Sequence, residues 1–255
     1  MILAVLNTKG GVGKTTTAVN LAAALASSRR RVLLVDLDSQ ASASVWCGVR
    51  RARLKPSSAS VLLHQFPIDQ AIRTTPTPHL DVLTGSMELA NSDLALADVR
   101  GREATLKSAL APVRSRYGVI ILDCPPGLSL IGVNALVAAD AVLVPVPPQH
   151  LALDGLQGLL ASVDTVRRRL GTRARLIGVV LTLARNDGCS EELSAAVRAE
   201  LRDVVFHTEI PASRALMTAP AHGKTIFQFA PRGAAADAFR RLAGELLDRL
   251  RGARR

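Results

Sequence analysis

The sequence predicts an α/β fold, a single doubly wound, mostly parallel sheet flanked by helices. Three observations carry this expectation. Short continuous apolar runs, rather than alternating ones, recur along the chain, as strands buried on both faces require. Helix-forming stretches separate them, which is the pattern of repeated strand–helix–strand units. Apolar residues make up 48% of the chain but aromatics only 3%, so the core is built from Ala, Val, Leu and Ile, small enough for helices to pack closely on a sheet. A chain of 255 residues can form one well-buried domain. With no repeat, low-complexity tract or long linker, a single domain over residues 1–255 is expected.

Ile2-Leu3-Ala4-Val5-Leu6 reads as a buried strand and Thr17 to Ala26 as a helix. Between them stands Lys9-Gly10-Gly11-Val12-Gly13-Lys14-Thr15-Thr16. Strand, glycine-rich turn and helix in that order make a phosphate cradle, because glycines let backbone N–H groups approach and the helix N-terminus adds partial positive charge. Lys14 would reach the β/γ-phosphates and Thr15 would place its hydroxyl on Mg²⁺. The strict pattern G-x-x-x-x-G-K-[ST] fails at one place: Thr8 stands where a glycine is expected, and a second lysine, Lys9, opens the loop.

Arg31 to Asp36 reads as a second buried strand ending in a carboxylate, with Asp38 two places on. Ligands of open α/β sheets gather at the carboxyl ends of strands, so both are candidates for a metal and water shell. Residues 41–79 are less regular, with a basic cluster (Arg50, Arg51, Arg53, Lys55), a short helix near Ser60–Leu63 and a turn at Pro76/Pro78 before a strand at Leu80–Leu83. Helices are expected over Glu88–Val99 and Glu103–Arg116. Tyr117 to Asp123 is a central strand closed by Asp123, which fits a Walker B carboxylate holding Mg²⁺ through water, and Cys124-Pro125-Pro126-Gly127 stops it. There follow a helix near Leu130–Ala139, a strand at Ala141–Val146, a long helix over Ala152–Leu170, a strand at Leu176–Leu183 and a helix over Glu191–Arg202. A strand beginning at Val204-Val205-Phe206 leads to Ile210-Pro211, and the last helix runs from Ala234 to Arg251.

Composition narrows the function. Cys47, Cys124 and Cys189 are far apart without a C-x-x-C, which argues against a disulfide framework or a zinc site. The five histidines, His64, His79, His150, His207 and His222, are scattered and read as surface or structural. No apolar run reaches the roughly 18 residues that span a membrane, and the N-terminus enters a strand without a basic leader. A cytoplasmic location is expected. The net charge of +11, with 17 basic against 10 acidic residues from Val163 onward, favours a polyanionic partner, nucleic acid or anionic lipid.

Taken in order, these motifs resemble those of the ParA/MinD family of P-loop ATPases. Lys9 to Thr16 resembles its deviant Walker A motif. Asp36-Leu37-Asp38-Ser39-Gln40 is similar to its D-x-D-P-Q segment, with Ser39 for proline and Ala41 where glycine is common. Ile121 to Pro126 matches its Walker B. Asn134 to Asp140 and Ala219 to Lys224 are similar to segments of the ParA/Soj branch, so the resemblance covers nearly the whole chain, without the N-terminal helix-turn-helix domain of some plasmid relatives. It implies ATP and Mg²⁺ as cofactors and a homodimer when ATP is bound, with both nucleotides at the interface. Lys9 would reach across to the partner's phosphates, as an arginine finger does, and a side chain at Gly10 or Gly11 would obstruct the facing copy. Asp38 would orient the attacking water, Asp36 and Asp123 would hold Mg²⁺ through water, and adenine would lie near Thr182 and Pro211. Hydrolysis would be slow and stimulated by a ParB-like or other cargo-adaptor protein, and nonspecific binding to double-stranded DNA would place the protein on the nucleoid.

The branch binds DNA through arginines after the strand ending in Leu-Thr and in an I-P-R-N-V-R segment. Arg185 sits near the first position. In the second, Ala212 and Ala215 occupy the arginine positions and Arg214 stands one place away. Arg214 would substitute, or the surface would shift toward Arg173, Arg175 or Arg232, with Lys224 also a candidate. The alternative is a MinD-like membrane-associated ATPase: the last helix carries Ala238, Phe239, Leu242, Leu246, Leu247 and Leu250 among arginines, a pattern of interfacial anchors and equally of a helix packed on a core. Core packing is the favoured reading, with no membrane partner. An iron–sulfur protein sharing this loop would need a second cysteine near Cys124, and none is evident.

Overall fold

Ile2, Ala4 and Leu6 enter one hydrophobic layer while Leu3 and Val5 enter the other, the period of two that a strand imposes. In the computed structural model, which describes residues 1–149, 152–185 and 187–252, the elements follow in the order β1 (Ile2–Val5), α1 (Lys14–Leu25), β2 (Val32–Asp36), α2 (Ser42–Trp46), α3 (Ser58–His64) and α4 (Ile68–Ala71). Next come β3 (Arg73–Thr74), β4 (Leu80–Leu83), α5 (Ser92–Ala95), α6 (Thr105–Leu110), β5 (Val119–Asp123), α7 (Leu130–Ala138) and β6 (Ala141–Val146). The chain continues with α8 (Ala152–Leu170), β7 (Arg175–Ala184), α9 (Gly188–Leu201), β8 (Ile210–Pro211), α10 (Arg214–Thr218), α11 (Ile226–Phe229) and α12 (Ala234–Gly252). His150 and the tail residues Ala253, Arg254 and Arg255 lie outside the described residues.

Among the described residues the strands form one eight-stranded sheet in the order β3-β4-β2-β5-β1-β6-β7-β8. Its pairs are parallel except the β3–β4 edge. The first strand is thus central, and the chain winds outward from it in both directions. At such a switch point the loops leaving the carboxyl ends part to opposite sides and open a crevice. Register fixes what faces it: Asp123 pairs with Val5 on one side and with Asp36 on the other.

Helices cover both faces. One layer packs α3, α6, α7 and α8 through residues such as Leu62, Leu106, Ile131 and Leu159. The other packs α1, α2 and α12 through Val19, Trp46, Phe239 and Leu242. The apolar stripe of α12 is used there: Ala238, Phe239, Leu242 and Leu246 are fully buried. Burying each large side chain contributes about 1.5–3 kcal/mol, so peeling this helix away would cost a sum comparable to the whole net stability of a domain, about 5–15 kcal/mol. The stripe is not free to enter a bilayer, and among the described residues no helix is long and apolar enough to cross one.

Three expectations need correction. The helices expected over Glu88–Val99 and Glu103–Arg116 are broken into short α and 3₁₀ turns. Asn134 explains the second break: its amide nitrogen donates to Arg102 O (2.7 Å) and its oxygen accepts from Leu106 N (3.0 Å), the pair that a continuous helix would have joined directly. Gly101, at φ +70°, separates the two segments, and Pro112 brings no N–H to prolong α6. Third, Val204–Phe206 makes only an isolated bridge, Val205 to Val179. Side chains take the backbone groups that a strand partner would have taken. Arg249 donates to Val204 O and Val205 O, Arg198 to Phe206 O and His207 O, and Glu245 accepts from His207 N and Thr208 N. The Arg249 guanidinium also lies 4.0 Å over the Phe206 ring, and a Cβ at Gly178 would collide with both. The antiparallel β3 has no counterpart in the sequence reading.

Leu242→Ala is expected to lower the free energy of unfolding by about 2–5 kcal/mol, as large-to-small changes in a core do. Urea denaturation measures it, and a loss within about 0.5 kcal/mol, typical of surface positions, would mark α12 as peripheral.

Candidate functional site

The loop between β1 and α1 is shaped by glycine at two places. Gly11 and Gly13 take φ values of +73° and +85°, which side chains with a Cβ rarely adopt. Gly13 caps α1, its carbonyl accepting from Thr17 N at 2.8 Å. Gly10 differs, for its φ is not positive and a Cβ there would meet nothing among the described residues within 4 Å. Lys9, Gly10 and Gly11 are exposed, whereas Val12 and Lys14 are buried. Asn7 braces the loop, its amide donating to Pro145 O (2.7 Å) and its oxygen accepting from Lys9 N (3.0 Å). Lys14 folds back so that Nζ donates to Lys9 O at 2.7 Å. The Lys9 ammonium donates to Gln149 Oε1 at 3.2 Å.

Beneath the loop, Asp36 and Asp123 are both fully buried. The Asp36 Oδ2 accepts two bonds from Ser44, from N at 2.8 Å and from Oγ at 2.6 Å, while Oδ1 accepts from Asp38 N at 3.1 Å. Among the described residues neither oxygen of Asp123 accepts a hydrogen bond of ordinary geometry, though the Thr15 hydroxyl lies beside it. Burial pushes the Asp36 carboxyl up to about 6, its bonds to Ser44 acting against the rise. Burial, and then the Asp36 charge, raise Asp123 well above the carboxylate range, with the Thr15 hydroxyl pulling the other way. Burial lowers Lys14, and the charges of Asp123 and Asp38 oppose the fall. Asp38 is half-buried, its Oδ1 accepting from Gln40 N at 2.9 Å.

A buried carboxylate without a donor costs several kcal/mol unless it protonates or meets a cation. Asp123, Asp36 and the adjoining Thr15 hydroxyl present oxygen ligands, the donor type a hard divalent cation takes. Among the described residues no three His, Cys, Asp or Glu side chains gather into a metal cluster. Two carboxylates and a hydroxyl suit Mg²⁺, which keeps its waters and is held by one or two carboxylates plus phosphate oxygens rather than by an all-protein cage.

Beside the loop opens a cleft of about 720 Å³ lined by Gly13, Thr16, Trp46, Thr182, Pro211 and Met217 among others. Thr182 is buried and its hydroxyl donates to Val12 O at 2.8 Å, so the end of β7 is tied to the phosphate loop. The structure thus brings together Gly13, Lys14, Thr15, Thr16, Asp36, Asp38 and Asp123, with Thr182 and Pro211 on the adjacent cleft wall. Cys124 is buried, its thiol pushed up by that burial and directed at Leu122 O at 3.7 Å. It has neither the exposure nor the acidity of a nucleophile.

A family model described as an AAA domain matches residues 1–176. The sporulation initiation inhibitor protein Soj of Bacillus subtilis is 39% identical over 96% of this chain and 97% of its own. The chromosome-partitioning ATPase Soj of Thermus thermophilus is 41% identical over 98% and 97%. The chain belongs to the ParA/Soj family of P-loop ATPases. Among solved structures, cobyrinic acid a,c-diamide synthase from Mycobacterium smegmatis with bound ADP and magnesium superposes with a TM-score of 0.85, at 31% identity, over 99% of this chain and 96% of that one.

Of the basic residues singled out in the sequence, Arg185 stands on the cleft lining, whereas Arg214, Lys224 and Arg232 lie outside it. Arg185 and Arg214 stand on the segments after β7 and β8, which are joined by Ala212 N to Ala184 O at 2.8 Å. Lys224 and Arg232 flank α11. All four are exposed, and none has a carboxylate within 4.0 Å among the described residues. Five arginines of α8 and α12 are different, since Arg167 and Arg168 share Asp164, and Arg240, Arg249 and Arg251 pair with Asp237, Glu245 and Asp248, while Arg169 and Arg241 are exposed without a carboxylate partner among the described residues.

Sequence reasoning did not find Asn7, Asn20, Ser44, Trp46 or Gly85. Gly85 gives no room for a Cβ, which would lie 2.6 Å from Asp38 O and 2.9 Å from Asp36 Cγ. Only a polar residue directly after a buried strand marks Asn7, and no pattern marks the others.

A group whose pKa is higher in the folded than in the unfolded chain (about 3.9 for Asp) stabilises fully below the unfolded value. That stability is lost as pH rises through the folded value. For Asp36 the window runs from about pH 4 to about pH 6, and Asp123 titrates in the same direction. Nucleotide-free Asp123→Asn is therefore expected to melt higher than wild type at pH 7.5, the gap closing toward pH 4. Thermal scans across that range check it, and a variant melting lower at pH 7.5 would refute the buried-charge account.

Proposed function

We propose that the protein is an ATP-dependent partition or positioning ATPase, a Mg²⁺–ATP switch whose nucleotide-bound form is a homodimer that binds duplex DNA nonspecifically. The observation that carries the nucleotide reading is the unpartnered, buried Asp123 carboxylate beside Asp36 and Thr15, at the floor of the loop from Lys9 to Thr16. Asp36, Asp123 and Thr15 would hold Mg²⁺, which supplies charge neutralisation for the phosphate oxygens. The loop N–H groups and the start of α1 cradle phosphates. Lys14, already beside Asp123 and Asp38, turns from Lys9 O to the β/γ-phosphates. Asp38, half-buried next to Asp36, orients the attacking water and accepts its proton. Thr182 and Pro211 border the base.

Two features support dimerisation through this face. Among the described residues Gly10 has no conformational or steric reason to be glycine, which a closely approaching second copy would supply. Lys9 is exposed and among the described residues its ammonium bonds only to Gln149, which leaves it able to serve the facing site as a trans-acting cation. The unpaired, exposed Arg185, Arg214, Lys224 and Arg232, with the +11 charge, support DNA as the polyanion. The family relationship supports a ParB-like or other cargo-adaptor protein that accelerates hydrolysis, and with it a cytoplasmic, nucleoid-associated location. The fold is built as one sheet, consistent with a single ATPase domain.

DNA affinity with ATP should exceed that with ADP and fall with salt, log K dropping by about 0.9 per log unit of salt for each phosphate neutralised. Fluorescence anisotropy with duplex DNA tests this, and a salt-independent affinity would refute it. Asp38→Ala should keep ATP binding and dimerisation but slow turnover by about 10²–10⁴-fold, and Lys14→Ala should lose productive ATP binding. Phosphate-release assays beside nucleotide titration separate the two.

A further inference from the structure

Helix α2 touches two places that the proposed function requires to communicate. At its centre, Ser44 donates both N–H and Oγ–H to Asp36 Oδ2, and its Oγ accepts from Gly85 N at 2.9 Å. All of this is buried, and Asp38 O and the Asp36 carboxylate leave no room for a Cβ at Gly85. The carboxylate therefore has little freedom to shift without carrying Ser44 with it. At its end, the Trp46 indole N–H donates to Lys224 O at 2.8 Å. Just beyond, Gly48 and Gly223 are in backbone contact, a Cβ on Gly223 falling 3.1 Å from Gly48 Cα.

The segment touched is the one that displays Lys224. Its far side is fixed separately: Asn20 of α1 donates to Thr16 O (2.9 Å) and accepts from Ile226 N (2.8 Å). The loop from Pro220 to Ile226 thus has one attachment to the phosphate-binding helix and one to α2. A displacement of α2 relative to α1 must alter how Lys224 is presented, since interiors are close-packed and transmit shifts rather than absorb them.

We propose that α2 is a lever between the Asp36 carboxylate and the basic surface at Lys224, with Ser44 and Trp46 as the positioning residues at its two attachments. The proposal rests on the Mg²⁺–ATP and DNA reading above. It makes the metal-bound state of Asp36, rather than dimerisation alone, one determinant of DNA affinity.

Trp46 is the chain's one tryptophan, so the lever reports on itself. Protein saturated with a non-hydrolysable ATP analogue in EDTA is titrated with MgCl₂ while indole emission is followed. Wild type is expected to shift, Ser44→Ala to lose at least half of that shift while still binding the analogue, and Ser44→Thr to recover it. An undiminished shift in Ser44→Ala, or no shift in wild type, would overturn the proposal. The second arm uses Trp46→Phe, which keeps a ring but removes the donor, with DNA affinity read at saturating MgATP and MgADP. Its ATP-over-ADP preference should fall by about 5-fold, as for one lost hydrogen bond, and an unchanged preference would overturn the lever. If wild type shows no ATP-dependent DNA binding at all, the proposed function fails instead, and the emission titration still decides whether α2 follows the metal.

Discussion

Two buried carboxylates on neighbouring strands, Asp36 and Asp123, are the constraint to which the surrounding residues answer. The register that sets them side by side is the same one that makes β1 central. Ser44, the Asp38 amide and the room left by Gly85 settle Asp36, while Asp123 has only the Thr15 hydroxyl and the Lys14 charge nearby to offset its burial. A sheet optimised for stability alone would not place like charges there. The energy withheld in the nucleotide-free protein is returned when a cation and phosphates bind, so ligand occupancy and fold stability are linked by mass action.

This arrangement also explains why Lys14 lies where it does. Its ammonium is buried, which disfavours the charged form, yet Asp123 and Asp38 hold the charge in place. The lysine donates to Lys9 O meanwhile, which ties it to the start of the loop. The Thr182 hydroxyl on Val12 O serves the same end from the opposite wall.

Much of this was legible in the sequence because it depends on local pattern. Uninterrupted apolar runs, glycines before Lys14 and aspartates closing two strands identified the sheet, the cradle and its carboxylates without any long-range information. What remained hidden depends on contacts between distant residues. Asn134 breaks a helix 32 residues earlier in the chain by taking Arg102 O. Trp46 reads as another core aromatic until its indole is found on Lys224 O, 178 residues away. Ser44 is one serine among several in its segment, and nothing but the folded register reveals that it serves Asp36. The Val204–Phe206 run has the composition of a strand and lost that role to three side chains whose positions no local rule supplies.

Those three side chains have a consequence at the rim of the sheet. An open edge is a template on which another chain can pair, and long exposed edges invite aggregation. Beyond β7 the carbonyls of Val204 to His207 are occupied by Arg198 and Arg249, and the amides of His207 and Thr208 by Glu245. The opposite rim ends in a strand of two residues. In the proposed face-to-face homodimer each copy therefore offers the other little ladder at either border, which biases self-association away from the route that leads to insoluble fibres.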